Sequence, residues 1–260
     1  MTAQLKSHSV GQTLVLTLSN PQARNALGPA IYSAGIEAMN AAETNPDIRS
    51  IILTGEGEHF SAGGQVQRLQ ENRAHPPEHQ AQSIEALHAW IETIATFPKP
   101  VLAAVEGAAA GAGFSLALSC DFLFASRESV FVMAYSNLAL SPDGGGSWQL
   151  ARSLPRPLVN QWLMLGERVP AQTLHAHGLV NELSEPGQCL DLALRWAQRL
   201  NERAPNATAS IKELVQSAPT QGLTDHMAQE KTLFVKNLHH PNAGLGIQAF
   251  LDKTQATYKP

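Results

Sequence analysis

Cysteine is almost missing from this chain of 260 residues, Cys120 and Cys189 being the whole complement. Two thiols in apolar contexts cannot build a disulfide framework, and a reducing compartment fits them better. Charge is sparse as well: Asp, Glu, Lys and Arg make up 15% of the residues, and the net charge is −4. No basic field is therefore offered to nucleic acid, and any anionic ligand has to be held by local groups. No apolar run approaches the length of a membrane span, and the N-terminal MTAQLKSHSVGQ has no apolar signal core. A cytoplasmic location and no membrane partner are the expectation. The glycine runs lack the Lys-Ser/Thr that completes a P-loop. What is present is 43% hydrophobic residues in a length that suits one large domain, or a domain with an appendage.

The most informative stretch covers residues 101–147. A buried-type run, Val101-Leu102-Ala103-Ala104-Val105, stops at Glu106-Gly107 and gives way to Ala and Gly as far as Gly113. An apolar segment from Phe114 follows, then Asp121 and a second run, Phe122-Leu123-Phe124-Ala125. Strand, small-residue turn and helix start is the physical reading. Small residues let backbone N–H groups at a helix N-terminus point at a ligand. The stretch closes on Pro142-Asp143-Gly144-Gly145-Gly146, a carboxylate on a glycine loop. Amide donors and a lone carboxylate are the parts that enolate chemistry requires.

Two earlier segments repeat the pattern. Thr13-Leu14-Val15-Leu16-Thr17-Leu18 alternates like a strand and breaks at Ser19-Asn20-Pro21. Gly28-Pro29 then opens a helix with Ile31, Gly35, Ala38 and Ala42 on one face. Ser50-Ile51-Ile52-Leu53-Thr54 leads through Phe60-Ser61-Ala62-Gly63-Gly64 into a helix bearing Val66 and Leu69. Strand, glycine-bearing loop and helix thus recur three times without a fixed sequence period. The polar ENRAHPPEHQ, residues 71–80, reads as a loop. Ile84, Leu87, His88, Ile91 and Ile94 after it have helical spacing. Beyond Ser147 the pattern is helical throughout, with Pro186, Pro205, Pro219 and Pro241 as punctuation.

Several motifs point elsewhere and fail on inspection. Gly111-Ala112-Gly113 lacks the third glycine of a dinucleotide fingerprint, since Leu116 stands there. Gly113-Phe114-Ser115-Leu116-Ala117 misses the closing glycine of a hydrolase elbow, and a serine on the helix bonds its own preceding turn. His75 and His79 have the spacing of a metal pair, but Pro76-Pro77 denies the helix that would present both. No metal site is expected. The glycines of 63–64 and 111–113 also have a plain packing role wherever a helix lies tightly on a sheet.

Two runs, Phe131-Val132-Met133-Ala134 and Leu140-Ser141-Pro142-Asp143-Gly144-Gly145, together with the 101–121 stretch, resemble the crotonase (enoyl-CoA hydratase/isomerase) superfamily. The resemblance extends over nearly the whole chain and is strongest to the isomerase branch, which includes the ring-epoxide isomerase of phenylacetate breakdown. It implies an α/β fold: a spiral of ββα units over residues 1–195, then a helical region over 196–260 that packs subunits into a homotrimer or a dimer of trimers. It implies an acyl-CoA substrate, with the CoA thioester itself reacting and no separate cofactor.

By the same resemblance the backbone N–H groups of Gly64 and Ala112 form an oxyanion hole. Arg24 and Ala62 contact CoA, as do Phe250 and Lys253 from a neighbouring subunit, while Gln65, Ser115, Tyr135 and Leu138 shape the acyl pocket. One departure is Gly64-Gln65 where relatives commonly carry Ala-Asp; Gln65 is a poor helix cap. A second is Ser115 and Tyr135 at the two positions where hydratases of this fold carry glutamates. Asp143 is left as the single acid/base, although Asp before Gly is also an ordinary turn former. The expected activity is an acyl-CoA isomerase that shifts a carbon–carbon double bond through an enolate. A weak hydratase, a thioester hydrolase and a non-catalytic CoA-binding protein are the alternatives.

Overall fold

The computed structural model describes residues 3–259. A six-stranded sheet forms its centre, in the order β1 (Gln4–Val10), β2 (Thr13–Ser19), β3 (Ser50–Gly55), β4 (Val101–Val105), β6 (Phe122–Ser126) and β9 (Glu182–Ser184). All pairings are parallel except β1 with β2. Parallel strands covered on both faces need apolar residues at odd and even positions alike, and β4 is buried along its whole length. The two faces can be read directly. Leu16, Leu18, Ile51, Leu53, Val101, Ala103 and Val105 enter the main core. Val15, Ile52, Leu102, Ala104 and Phe124 face helix α8 (Cys189–Asn201) through its Cys189, Leu192, Ala193 and Ala197.

The expected three turns of strand, loop and helix are what the chain builds. β2 leads to α1 (Pro29–Thr44), and β3 to α2 (Val66–Asn72) and α3 (Pro77–Thr96). β4 and β5 (Ala108–Ala110) lead to α4 (Ala112–Leu118). The small-residue stretch read as a turn is therefore partly a strand. β5 pairs with β7 (Val130–Val132), which pairs with β8 (Arg168–Pro170), in a second, three-stranded sheet. Alanine suits this strand because Ser61 bridges closely to Ala109 on its other side.

Two further expectations need correction. The polar segment 71–80 is a loop only over residues 73–76: α2 runs to Asn72 and α3 begins at Pro77. Pro77 occupies a first-turn position, where a missing N–H costs nothing, and Pro76 has the extended backbone that precedes it. The region after Ser147 is not wholly helical either, because β8 and β9 lie within it. Both are three residues long, too short for alternation to show.

The remaining helices are α5 (Gly146–Ser153), α6 (Arg156–Leu165), α7 (Ala171–Ala176), α9 (Pro205–Ser217), α10 (Leu223–Leu238) and α11 (Pro241–Asp252). Helix α8 crosses residue 196, the expected start of the helical region, with Leu192 buried against the sheet and Trp196 and Leu200 packed beside it. Helix α9 is fastened to the core by Lys212, whose Nζ lies 2.8 Å from Asp121 Oδ2 and 3.0 Å from the Ile94 carbonyl. The same Asp121 oxygen accepts from the Val101 N–H at 2.8 Å. No helix of the described residues is long and apolar enough to cross a membrane.

Helices α1 and α3 meet at Gly35 and Trp90. A Cβ on Gly35 would fall 2.2 Å from Trp90 Cε2, so the indole fills the space a side chain would need. Gly35→Ala should destabilise the protein by about 1–3 kcal/mol through overpacking, even though alanine is the better helix former. Urea unfolding checks this; a Gly35→Ala protein as stable as the parent would show that the helix pair can spread without penalty.

Candidate active site

The loops after β2 and β3 are stitched together before any pocket forms. Asn25 is buried with φ at 54°, and its Nδ2 donates to the carbonyls of Glu56 and His59 at 2.9 and 2.7 Å. The Ala62 N–H donates to the Arg24 carbonyl at 2.8 Å, and the Leu27 N–H to the Gly63 carbonyl at 2.7 Å. On the other side, the Ser61 N–H donates to Ala108 O at 3.0 Å, and the Ala110 N–H donates to Ser61 O at 2.8 Å. Gly63 has φ at 80°, and a Cβ there would stand 2.5 Å from Ala110 O and 3.2 Å from Ala112 N. Only glycine permits this approach, which sets Gly64 beside the start of α4.

Neither the Gly64 N–H nor the Ala112 N–H has an acceptor among the described residues. Both residues line one cavity of about 610 Å³, a volume ordinary for a small-molecule site. Two unpaired amides facing a common space can receive a developing oxyanion. Gln65 precedes α2 with no side-chain cap bond, as expected of a poor cap.

Asp143 enters the same cavity from the loop before α5, half-buried, and is the only carboxylate among the lining residues. Its Oδ1 accepts from the Tyr135 phenol at 2.6 Å, while no described residue bonds Oδ2. Burial and the neighbouring Asp143 carboxylate push the Tyr135 phenol well above its ordinary range. It is thus a proton donor to Asp143 at neutral pH and not a base. His88, on α3, receives the Gly144 N–H on Nε2 at 3.3 Å and so helps place the Asp143 turn. Phe131 and Met133 are buried beneath the site, whereas Leu138 and Leu140 are exposed and line the cavity.

Of the sequence-derived site residues, the cavity gathers Ala62, Gly64, Gln65, Ala112, Tyr135, Leu138 and Asp143. Ser115 is a correction. It is fully buried and does not line the pocket; its hydroxyl donates to the Asp143 carbonyl at 3.0 Å, with the Gly111 carbonyl of its own turn at 3.4 Å. It supports the acid-bearing turn from below. Arg24, Phe250 and Lys253 stand outside the cavity of the single chain. Arg24 is an exposed residue in left-handed backbone, Phe250 is 83% exposed, and Lys253 caps α11 at φ 56°.

Tyr32, Arg68 and His88 also line the cavity and escaped the sequence reading. Tyr32 lies beside Ile31 on the buried side of α1, where a phenol reads as core. A lone arginine on a short polar helix reads as solvated, and His88 shares its spacing with the apolar face of α3. Only the folded chain brings the three together. His75 and His79, denied a shared helix by the prolines, nevertheless stack with ring centroids 4.8 Å apart.

A sequence model of the family described as enoyl-CoA hydratase/isomerase matches residues 9–260. The chain is 31% identical over 248 residues to the 1,2-epoxyphenylacetyl-CoA isomerase of Escherichia coli K12, covering 95% of each. It is 30% identical over 248 residues to the 2,3-dehydroadipyl-CoA hydratase of the same strain, again covering 95% of each. Among solved structures, an enoyl-CoA hydratase from Polaromonas sp. JS666 superposes with a TM-score of 0.97 at 63% identity, over 98% of this chain and 99% of that one.

Tyr32 is also raised, to about 12, by burial first and by Asp143 second, with Arg68 opposing. Well below pH 10 both phenols are neutral whether folded or unfolded, and neither makes stability depend on pH. Above it the unfolded chain ionises first, so stability falls as pH rises toward the folded pKa values. Unfolding at pH 8 and pH 10.5 should show Tyr32→Phe and Tyr135→Phe each flattening this alkaline loss. An unchanged slope in both would mean that the phenols ionise in the native state.

Proposed function

The chain belongs to the enoyl-CoA hydratase/isomerase family, and from that premise we propose that it is an acyl-CoA isomerase. The reaction is the shift of a carbon–carbon double bond in an enoyl-CoA, with Asp143 as the single acid/base. One observation carries this reading: the cavity holds one carboxylate, beside two unpaired amides. Moving a proton between two carbons needs one base that can return what it took, whereas the hydratases that the sequence resembles use two glutamates.

For a thioester whose double bond lies one carbon beyond conjugation, the free Oδ2 of Asp143 takes a proton from C2. The C–H electrons move onto the thioester oxygen, which the Gly64 and Ala112 N–H groups receive. Asp143 then returns the proton at C4, the electrons flow back, and the conjugated thioester results. The Tyr135 phenol holds Oδ1 and so fixes the carboxyl orientation while it changes charge. The names of the Polaromonas and dehydroadipyl-CoA relatives favour a second reading, water addition to an enoyl-CoA, and crotonyl-CoA hydration is its direct assay.

Asp143→Asn keeps the shape and removes the base. Isomerisation should fall by about a hundredfold or more, while affinity for a CoA thioester stays near that of the parent. A variant that retains near-parental isomerase activity would remove Asp143 from the reaction.

Arg24 and Ala62 are proposed as CoA contacts on this chain, with Phe250 and Lys253 offered to a neighbour's nucleotide. That arrangement requires an oligomer, and a homotrimer or a dimer of trimers is proposed. Support comes from the apolar side chains left exposed on α9, α10 and α11, among them Val215, Leu223, Phe234, Ile247, Phe250 and Leu251. Leu192, on α8, is covered by the sheet and adds nothing to that exposed face. Light scattering at micromolar concentration should give at least three times the 27.9 kDa chain mass; a monomer would overturn the assembly and the shared nucleotide site together.

A further inference from the structure

Apart from the titratable His88, two charged side chains line the cavity, Asp143 and Arg68. Asp143 is engaged by Tyr135. Arg68 is half-buried on α2, donates from Nη2 to the Ser83 hydroxyl of α3, and has no carboxylate within 4.0 Å among the described residues. A guanidinium cannot shed its proton, so this charge is permanent and stands in a cavity walled by Leu69, Ile84 and Leu87. Tyr32 lies within reach of its field: the Arg68 charge acts on the phenol. The Tyr32 side chain is 95% buried, lines the same cavity and makes no hydrogen bond among the described residues. Three donors, a guanidinium and two hydroxyls, thus line one pocket whose single carboxylate, Asp143, is held by Tyr135 and forms no ion pair with Arg68 among the described residues.

We infer that Arg68, with the Ser83 and Tyr32 hydroxyls, binds an anionic end of the acyl group. The preferred substrates are CoA thioesters whose acyl chain carries a carboxylate away from the thioester. The planar guanidinium matches a carboxylate with two parallel N–H bonds, and an apolar-walled pocket strengthens such a pair. The phosphates of CoA are the other possible anion, but a bulky, strongly hydrated polyanion belongs at the solvent mouth and not beside Leu69 and Ile84. This inference rests on the CoA thioester reading above, and it is independent of which reaction follows binding.

The test uses saturated acyl-CoAs of four, six and eight carbons, each with its ω-carboxylate counterpart, titrated calorimetrically into the intact protein. None can be isomerised or hydrated, so failure of the isomerase assignment leaves this result untouched. The parent should bind the carboxylate form more tightly at one of these lengths, by about tenfold or more, as a charge-assisted pair provides. Arg68→Gln should abolish that preference and leave the uncharged acyl-CoAs unaffected; Arg68→Lys should keep part of it. Equal weakening of both series by Arg68→Gln would reassign the side chain to a CoA phosphate. A parent without preference at any length overturns the inference, and a parent that binds no thioester overturns the CoA reading with it.

Discussion

The structure depends on the close approach of two backbone segments, residues 61–64 and 108–113. Paired hydrogen bonds between Ser61 and Ala108 and Ala110 draw them together, and glycine makes the contact possible from both sides. A Cβ on Gly63 would strike Ala110 O, and one on Gly113 would lie 2.7 Å from Ser61 Cβ. The amides of Gly64 and Ala112 are consequences of that approach. They come from different turns of the spiral, and the same contacts that join the turns leave their N–H groups without partners. Assembly of the core and assembly of the amide pair are therefore one event, so the donors of the proposed reaction would need no reorganisation to receive charge.

Around this rigid centre the electrostatics are spare. Asp143 is held on one oxygen by a phenol whose ionisation burial opposes, and its turn is fixed by Ser115 below and His88 at the side. A carboxylate with one oxygen anchored and one free is oriented without being neutralised. Burial first, with a nearby carboxylate second (Asp121 for Cys120, Glu106 for Cys189), raises both cysteine thiols, Cys189 to about 12, so both are inert packing groups near neutral pH.

Much of this was legible in the sequence because it resides in local pattern. The four long strands of the parallel sheet and the last four helices follow from apolar runs and proline punctuation. Gly64, Ala112 and Asp143 stand in small-residue or Asp-Gly turns that the sequence shows, but their expected roles came from the family resemblance. What stayed hidden is contact between segments distant in the chain. Ala108–Ala110 is a strand only because Ser61 and Phe131 flank it. Tyr32, Arg68 and His88 meet across three helices, and no spacing in one segment announces a meeting of three. Ser115 was expected in the pocket wall because the resemblance sets it where hydratases carry a glutamate, whereas the folded chain buries it under the Asp143 turn.

The placement of Ser115 has a steric consequence. Its side chain is enclosed by the acid-bearing loop: a Cβ on Gly144 would stand 3.1 Å from Ser115 Cβ, and one on Gly146 would stand 2.5 Å from Ser115 Oγ. The volume that a glutamate at position 115 would require is already occupied by the turn that presents Asp143. Ser115→Glu in this chain would therefore press on the glycine loop, and the longer side chain could be seated only if that loop, and Asp143 with it, moved.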